Sequence, residues 1–478
     1  MSTLLPLQVR APARAWVEFA WVCEVLFGRL GLPFELQPHA EPFVEVVVGG
    51  GRVRWADAFL GHADGRWLRP GAVEMPAARP WKVPDDTLRR MLGRDDLAWC
   101  YGDGEFSVAA DEIRLPIDVT GSAFFMLSRY EEAVPGAALD VHGRFPGSAS
   151  WAGQAGLLRR PLVDEWIELL WWAMQRLAPG LRRQVHAPRV WVTCDVDLPY
   201  SPAVNHPALA LRQSAAFLLK QRRPLQALQA LANPLLTRLG STAADPCDNF
   251  GWLMDTAEAA GQRADFFFIC AAQATAHEGF YRVEEPRIAQ LIDTLRARGH
   301  GVGLHASYAS ADDPSLLAAE VQRLRRAAGL GDAVPLGNRQ HYLRWRADET
   351  PAALAAAGLA FDSSLGHADQ PGFRCGTSHA FPLYDLRARH ALPIVERPLV
   401  LMEGSVISPA YLNLGLGAGA RALMLEFKAA CRRYQGCFTL LWHNDGLNTA
   451  AARRLYAELI QPFEPLTAAE RAALAGGH

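Results

Sequence analysis

The stretch Trp191-Val192-Thr193-Cys194-Asp195-Val196-Asp197 is a strand-like, largely apolar run that ends in two acidic residues one position apart. Similar β-rich runs alternate with helical segments through the rest of the chain. The predicted strands are Arg189–Asp197, Ala264–Cys270, Gly301–Ala306, Val334–Arg339, Leu359–Asp362, Leu392–Met402 and Phe438–His443. The predicted helices include Pro286–Arg298, Pro314–Ala328, Thr350–Ala357, Ala418–Tyr434 and Thr449–Leu459. This alternation predicts an α/β fold with a parallel sheet, and closure into a barrel would place functional side chains at the carboxyl ends of the strands.

Five of these strands end in polar residues. The clusters are Asp195 and Asp197, His305 to Tyr308, Asn338 to Tyr342, Asp362 to Ser364, and His443 to Asp445. Each cluster alone is more typical of a solvated turn than of a site. Their coincidence at the same edge of a predicted sheet favours a shared site.

Asp195 and Asp197 can enter one pocket, because alternate residues of a strand point to the same side. Their repulsion must be offset by a divalent cation or by an arginine such as Arg339 or Arg374. Carboxylate and imidazole ligands with one position left for water are typical of a catalytic zinc or a similar metal. One carboxylate would then bind the metal, the other would accept a proton from water, and an imidazole would protonate the leaving group. This chemistry suits hydrolysis of an amide or an ester.

Five short motifs stand in a fixed order between Arg189 and Gly446. They are T-x-D-x-D at 193–197, G-L-H-x-S-Y at 303–308, R-x-x-Y at 339–342, D-S-S at 362–364 and L-x-H at 441–443. This order resembles the polysaccharide deacetylases of carbohydrate esterase family four, the NodB-homology family, whose fold is an irregular (β/α) barrel. The resemblance implies that Asp195 is the general base, that Asp197 and His305 are metal ligands, and that His443 is the general acid. It also implies that Arg339 orients the base and that the backbone N–H of Tyr342 helps to bind the oxyanion.

The chain departs from the family pattern at its predicted ligands. Val196 separates two acids that are adjacent in the family, and Ala309 stands where a second histidine ligand is usual. His341 is the best replacement for that ligand, and His367 and His379 are weaker candidates. The predicted cofactor is a divalent metal, with zinc preferred.

Four residues are predicted to contact substrate. Tyr308 and Trp442 lie beside site motifs and could stack on a sugar ring, and Tyr342 belongs to the R-x-x-Y motif. Arg374 could bind a substrate carboxylate or phosphate, or could neutralise the acids.

The first part of the chain lacks a clean α/β alternation, so we place a domain boundary near residue 185. Residues 1–185 are predicted to form an N-terminal α/β domain and residues 186–478 the deacetylase-like barrel. Ser122–Glu132 and Asp140–Phe145 resemble an upstream domain of uncharacterised function that is often fused ahead of such barrels.

The composition limits the partners and the compartment. The 478 residues carry 48 basic and 50 acidic side chains, a net charge of −2, which argues against a nucleic-acid partner. The eight cysteines form no C-x-x-C pair, as expected in a reducing compartment. No uncharged apolar run is long enough to predict a membrane span. We therefore expect a cytoplasmic protein.

The leading functional prediction is removal of an N-acyl group, with acetyl preferred, from an amino sugar or surface-polysaccharide precursor. Two alternatives remain open. One is a catalytically inactive, deacetylase-like protein that binds a glycan or a partner. The other is a hydrolase of a different non-peptide C–N bond, such as that of a cyclic amide or a formamide.

Overall fold

The computed structural model describes residues 6–476 apart from 70–76, 205, 221, 223, 240–244, 274 and 279. Its strands are β1 (Leu7–Pro12), β2 (Phe34–His39), β3 (Phe43–Val48), β4 (Gly51–Ala56), β5 (Arg79–Lys82), β6 (Asp96–Trp99), β7 (Ser107–Val108), β8 (Glu112–Arg114), β9 (Arg189–Val196), β10 (Ala264–Ile269), β11 (Gly301–Ala306), β12 (Gly337–Gln340), β13 (Phe361–Asp362), β14 (Phe381–Asp385), β15 (His390–Glu396), β16 (Leu401–Met402) and β17 (Cys437–Leu441).

Its α-helices are α1 (Trp16–Leu30), α2 (Leu60–Ala63), α3 (Asp86–Leu92), α4 (Val119–Leu127), α5 (Tyr130–Ala133), α6 (Trp151–Gln154), α7 (Leu162–Leu177), α8 (Pro207–Ala215), α9 (Pro224–Arg238), α10 (Phe250–Ala259), α11 (Pro286–Ala297), α12 (Pro314–Ala327), α13 (Thr350–Ala356), α14 (Glu403–Ile407), α15 (Ala418–Arg433), α16 (Ala450–Leu459) and α17 (Ala468–Ala475).

A nine-stranded sheet carries the predicted site. Its strand order is β14-β15-β13-β12-β11-β10-β9-β17-β16, and every pairing except β14 with β15 is parallel. Because parallel strands share one direction, the carboxyl ends of β9, β11, β12 and β17 meet at the same edge. The described residues contain no backbone ladder between the outer strands β14 and β16, so barrel closure stays a prediction.

The first part of the chain forms a separate six-stranded sheet of order β2-β1-β3-β4-β8-β7 and a two-stranded antiparallel sheet of β5 and β6, which helix α3 connects. Helix α7 is buried along most of its length, and Trp166 donates a hydrogen bond from Nε1 to the carbonyl oxygen of Ala98 at 2.9 Å. This apolar helix therefore belongs to the core. Most of the buried apolar residues of the two sheets form one continuous cluster.

Local sequence explains where several helices begin and end. Helix α12 starts at Pro314, which needs no N–H partner, and the Asp313 carboxylate accepts hydrogen bonds from the backbone N–H groups of Ser315 and Leu316. Beyond its last turn, Gly329 adopts a positive φ of 59°. These are ordinary start and stop signals for a helix.

Some predicted elements differ from the structure. The predicted strand Leu392–Met402 is divided between β15 and β16, because Pro398 has no N–H to continue a ladder. β15 lies near one edge of the sheet and β16 at the opposite edge. Helix α4 ends at Leu127 and α5 begins at Tyr130, because Arg129 between them has a positive φ of 55°. Strands β1, β2, β5, β6, β7 and β14 were not predicted.

None of the helices among the described residues is both long enough and apolar enough to cross a membrane.

Candidate metal centre

Strand register brings the candidate residues together. His305 on β11 is in register with Arg339 on β12, and Phe267 on β10 is in register with Asp195 on β9. The side chains of Asp195 and His305 span β10, with Nε2 of His305 3.6 Å from Oδ2 of Asp195. Asp197 follows β9 and His341 follows β12, so both project from the same edge.

Asp197, His305 and His341 form a cluster that could hold a metal ion, with ligand atoms all within 4.8 Å of one another. Nε2 of His305 lies 3.3 Å from Oδ1 of Asp197, and Nε2 of His341 lies 3.7 Å from Oδ2. For zinc bonds of about 2.0–2.2 Å, two tetrahedral ligands stand about 3.4 Å apart. Oδ1 of Asp197 is buried without a hydrogen-bond partner, as expected of a carboxylate oxygen shaped to bind a cation. The donor set therefore fits a divalent metal.

The second ring nitrogen of each histidine is held by the protein. Nδ1 of His305 donates to the carbonyl oxygen of Arg339 at 2.7 Å, which leaves Nε2 as the ligand atom. Nδ1 of His341 lies 3.0 Å from Oε2 of Glu278, a carboxylate that also accepts the N–H of Tyr308 at 3.0 Å. Such outer contacts select the tautomer and the orientation of a metal-binding imidazole.

Electrostatics supports an anionic Asp197. Burial raises the pKa of Asp197, but the facing histidines outweigh it and hold the pKa well below its usual range. Burial lowers the pKa of His341, whereas hydrogen bonds with Asp197 and Glu278 raise it to about 9. Without a metal, the charges therefore stabilise one another as a carboxylate–imidazolium–carboxylate chain.

Asp195 stands next to this cluster on the side of Arg339. Oδ2 of Asp195 is 3.9 Å from Nη1 of Arg339, and Oδ1 has no hydrogen-bond partner. Arg339 is fully buried, and its Nη2 donates to the hydroxyl oxygens of Thr193 and Ser363 at 3.2 and 3.0 Å. The guanidinium is thus fixed beside a carboxylate that retains a free acceptor atom.

His443 lies across the cluster, with Nε2 3.8 Å from Oδ2 of Asp197. Its Nδ1 is 2.7 Å from Oε1 of Glu403, which also accepts the backbone N–H of His443. Burial lowers the pKa of His443, but the Glu403 carboxylate outweighs it and raises the pKa well above its usual value. An imidazole held in this way can donate a proton at neutral pH.

These groups open into a cavity of about 370 Å³. Its lining residues are Arg144, Asp195, Asp197, Leu198, His277, Phe280, His305, Gln340, His341, Tyr342, Leu343, Ala368, Met402, Gly404, Ser408, Tyr411, His443 and Asp445. Arg144 comes from the N-terminal part of the chain, and its Nη1 donates to the carbonyl oxygen of Tyr342 at 3.1 Å. Tyr342 itself has a left-handed backbone, with φ 62° and ψ 8°. The wall of the cavity is therefore built from both parts of the chain.

Of the four residues predicted to contact substrate, Tyr342 lines the cavity, whereas Tyr308 does not. Tyr308 stacks on His277, with ring centroids 3.9 Å apart, and its hydroxyl lies 3.3 Å from Nδ1 of His142. His277 belongs to the cavity wall, so Tyr308 supports that wall from behind.

The other two predicted substrate contacts need correction. Arg374 is buried and pairs with both carboxylate oxygens of Glu132, while its Nη1 donates to the carbonyl oxygen of Gly366. Trp442 is fully buried and packs edge-on against Tyr456, with centroids 5.7 Å apart. Neither lines the cavity, because packing and ion pairing already engage both side chains.

Of the three histidines considered for the absent second ligand, His341 is the one that lies in the cluster with Asp197 and His305. His379 instead contacts the carbonyl oxygen of Tyr434 at 2.8 Å, and His367 is buried away from the cavity wall. Glu278, Glu403 and Arg144 were missed as site residues. Glu278 lies in a loop without a recognisable motif, Glu403 is the first residue of the short helix α14, and the stretch Asp140–Phe145 gave no sign that Arg144 reaches the cavity.

Comparisons with known proteins give partial matches. Residues 7–179 match the model of a family of unknown function (DUF7033). No curated protein matches the chain. A protein described as a polysaccharide deacetylase from Mycobacterium smegmatis is 18% identical, with a TM-score of 0.38, covering 59% of this chain and 87% of its own. A protein described as a polysaccharide deacetylase from Pseudomonas aeruginosa PAO1 is 15% identical, with a TM-score of 0.31, covering 46% and 70%. The Puue allantoinase is 14% identical, with a TM-score of 0.31, covering 44% and 65%.

Proposed function

We propose that this protein is a metal-dependent hydrolase that removes an N-acyl group, with acetyl preferred, from an amino sugar or surface-polysaccharide precursor. The observation that carries the proposal is the Asp197, His305 and His341 cluster, which lies between Asp195 and His443 at the base of one cavity. A base, an acid and a metal-binding set on one wall are the parts that amide hydrolysis needs.

A divalent cation held by Asp197, His305 and His341 would polarise the acyl carbonyl and favour ionisation of water. Asp195 accepts the proton of the attacking water at Oδ1, its unpartnered oxygen. Arg339, with Nη1 3.9 Å from Oδ2, keeps this carboxylate oriented. The N–H of Tyr342 donates to the developing oxyanion.

His443 completes the reaction as the general acid. It delivers the proton from Nε2 to the amine nitrogen as the C–N bond breaks, so a carboxylic acid and a free amine are the products. Glu403 stabilises the imidazolium before transfer and orients the ring. The base thus adjoins the ligand cluster at His305, and the acid adjoins it at Asp197.

We also propose the division of the chain near residue 185, with an irregular (β/α) barrel after it. The two large sheets support this division, because one lies within residues 7–114 and the other within residues 189–441. The alternation of parallel strands with helices supports a barrel-like architecture for the second part.

The test combines metal analysis with acid release from N-acetyl, N-formyl and cyclic-amide substrates. We expect one divalent metal per chain, lost in His305→Ala, and acetate release that falls about 10²- to 10⁴-fold in Asp195→Asn with the metal retained. Absence of bound metal, together with acid release that Asp195→Asn leaves unchanged, would overturn the proposal. Full metal occupancy without turnover of any substrate would favour a binding protein, and preference for a formyl or cyclic amide would reassign the bond.

A further inference from the structure

A helical insertion follows β9 directly. It comprises α8, a π-helical turn at Ala216–Lys220, and α9, and α8 contacts α9 along its length. We refer to the described residues of 206–239 as the helical hairpin. The chain reaches this hairpin from the cavity wall, because Leu198 lines the cavity and Tyr200 donates a hydrogen bond to the carbonyl oxygen of Phe280, another lining residue.

The helical hairpin concentrates exposed apolar side chains. Of the 17 exposed large apolar residues in the described chain, eight lie in this segment, with exposed fractions between 45% and 77%. They are Leu211, Leu218, Leu219, Leu225, Leu228, Leu231, Leu235 and Leu239. Contiguous apolar surface of this kind marks an interaction site on a folded protein.

The leucines of α9 form a stripe on the outer face of the helix. Leu225, Leu228, Leu235 and Leu239 are spaced by three, seven and four residues, which places them on one side. The inner side carries the buried residues Ala227 and Asn233. The amphipathic helix therefore turns its apolar stripe away from the protein.

The charge of the helical hairpin indicates which kind of partner binds its apolar stripe. Between Asp197 and Asp245 the sequence has five basic residues, Arg212, Lys220, Arg222, Arg223 and Arg238, and no acidic residue. Two-fold association through this surface would bring like charges together, which is unfavourable. An anionic bilayer instead matches both the leucines and the positive charge.

We propose that the helical hairpin is an interfacial membrane-binding element that docks this protein on anionic lipid bilayers. The outward leucines enter the boundary between headgroups and acyl chains, and arginines such as the exposed Arg212 and Arg222 meet the lipid phosphates. The hairpin lies on the membrane surface and does not span the bilayer. No helix among the described residues is both long enough and apolar enough to do so. The inference does not depend on the proposed reaction.

Vesicle co-sedimentation of the full chain tests this proposal. We expect the protein to bind vesicles of mixed phosphatidylcholine and phosphatidylglycerol at least about tenfold better than vesicles of phosphatidylcholine alone, and salt to weaken the binding. The triple variant Leu225→Gln, Leu228→Gln, Leu235→Gln should bind about tenfold more weakly or worse. The double variant Arg212→Gln, Arg222→Gln should lose most of the lipid preference and of the salt dependence.

The matched control is Val108→Gln with Val334→Gln, which removes exposed apolar side chains elsewhere. This control should bind vesicles as the wild type does. Absence of vesicle binding, or equal binding to both lipid mixtures, would overturn the proposal. The proposal would also be overturned if light scattering showed that the wild type is a dimer that does not bind vesicles, and that the leucine variant is a monomer. If the leucine variant unfolds, the arginine variant and the salt dependence of the wild type decide the question.

Discussion

Glu278 orients His341, one of the proposed metal ligands. Its carboxylate holds Nδ1 of His341 at 3.0 Å, so Nε2 faces Asp197. We expect Glu278→Gln to weaken metal binding about 10- to 100-fold, because the neutral amide makes the imidazole a weaker ligand and fixes it less firmly. A chelator-competition titration of the metal-free protein measures the effect.

Glu320→Gln provides the control for this substitution. Glu320 is also a buried carboxylate in the same region, and it accepts the N–H of Ser307 at 2.9 Å. It does not contact a proposed ligand, so metal affinity should stay within about twofold of the wild-type value. Equal metal affinity in Glu278→Gln and the wild type would refute the assigned role of Glu278.

The candidate site could be predicted from the sequence where its residues end strands. Asp195, His305 and His443 each follow a recognisable apolar run, and parallel strands must bring such ends together. Glu278 and Glu403 could not be predicted in this way. Each reaches its histidine through a tertiary contact, and nothing in the flanking sequence sets it apart from a solvated glutamate.

At the scale of elements, the loop Asp140–Phe145 connects the N-terminal part of the chain to the cavity. Arg144 pairs with Asp140 and donates to the carbonyl oxygen of Tyr342, a residue with a positive φ that is costly for tyrosine. The loop also accepts a hydrogen bond from Arg344 at the carbonyl oxygen of His142. Arg144 is thus a positioning residue for the turn that carries the Tyr342 N–H.

We expect Arg144→Ala to lower kcat about 10- to 100-fold with little change in bound metal, because the turn no longer holds the oxyanion donor in place. Arg144→Lys should restore part of the rate. Steady-state kinetics and metal analysis measure the two effects separately. Arg159→Ala removes an arginine from an exposed pair with Glu426 and should change neither. A change of KM alone in Arg144→Ala would contradict a role in the turn.

The strands of the large sheet could be predicted where they are buried and parallel, as for β9 and β11, because apolar runs of strand length are their local signature. The antiparallel edge strand β14 has no such run, since Pro382 and Asp385 interrupt its apolar residues. The sequence also predicted one continuous strand across Arg397 and Pro398. In the structure the chain passes there from β15, near one edge of the sheet, to β16 at the opposite edge. Such a crossing depends on tertiary packing.

At the scale of the whole molecule, buried ion pairs join the N-terminal part to the large sheet. Glu132 binds Arg374 through both oxygens, and Arg129 donates to the carbonyl oxygen of Arg374. Glu18 on α1 pairs with Arg389 in the same way. These contacts fix the position of the N-terminal part against the large sheet. Removing one partner of a buried pair would leave an uncompensated charge. The cavity wall that Arg144 completes therefore depends on a fixed arrangement of both parts.

Asp164 makes the stability of this junction depend on pH. It lies in the first turn of α7 and accepts hydrogen bonds from the hydroxyl of Thr377 and from the N–H of Ser378 across the junction. Burial raises its pKa to about 6, although these hydrogen bonds oppose the shift. The folded state therefore binds this proton more tightly than the unfolded state. The resulting stability is fully present below about pH 3.8 and is lost as the pH rises through about 6.

We expect this group to lower the free energy of unfolding by about 1–2 kcal/mol between pH 5 and pH 7. Asp164→Asn removes the titrating group. The urea midpoint of the wild type should therefore fall relative to that of the variant as the pH rises over that interval. Asp332→Asn, at an exposed position, controls for the substitution itself. A midpoint difference that does not change with pH would contradict the prediction. A loss of stability in Asp164→Asn that is constant across the interval would show that the hydrogen bonds to Thr377 and Ser378, and not the proton, dominate at the junction.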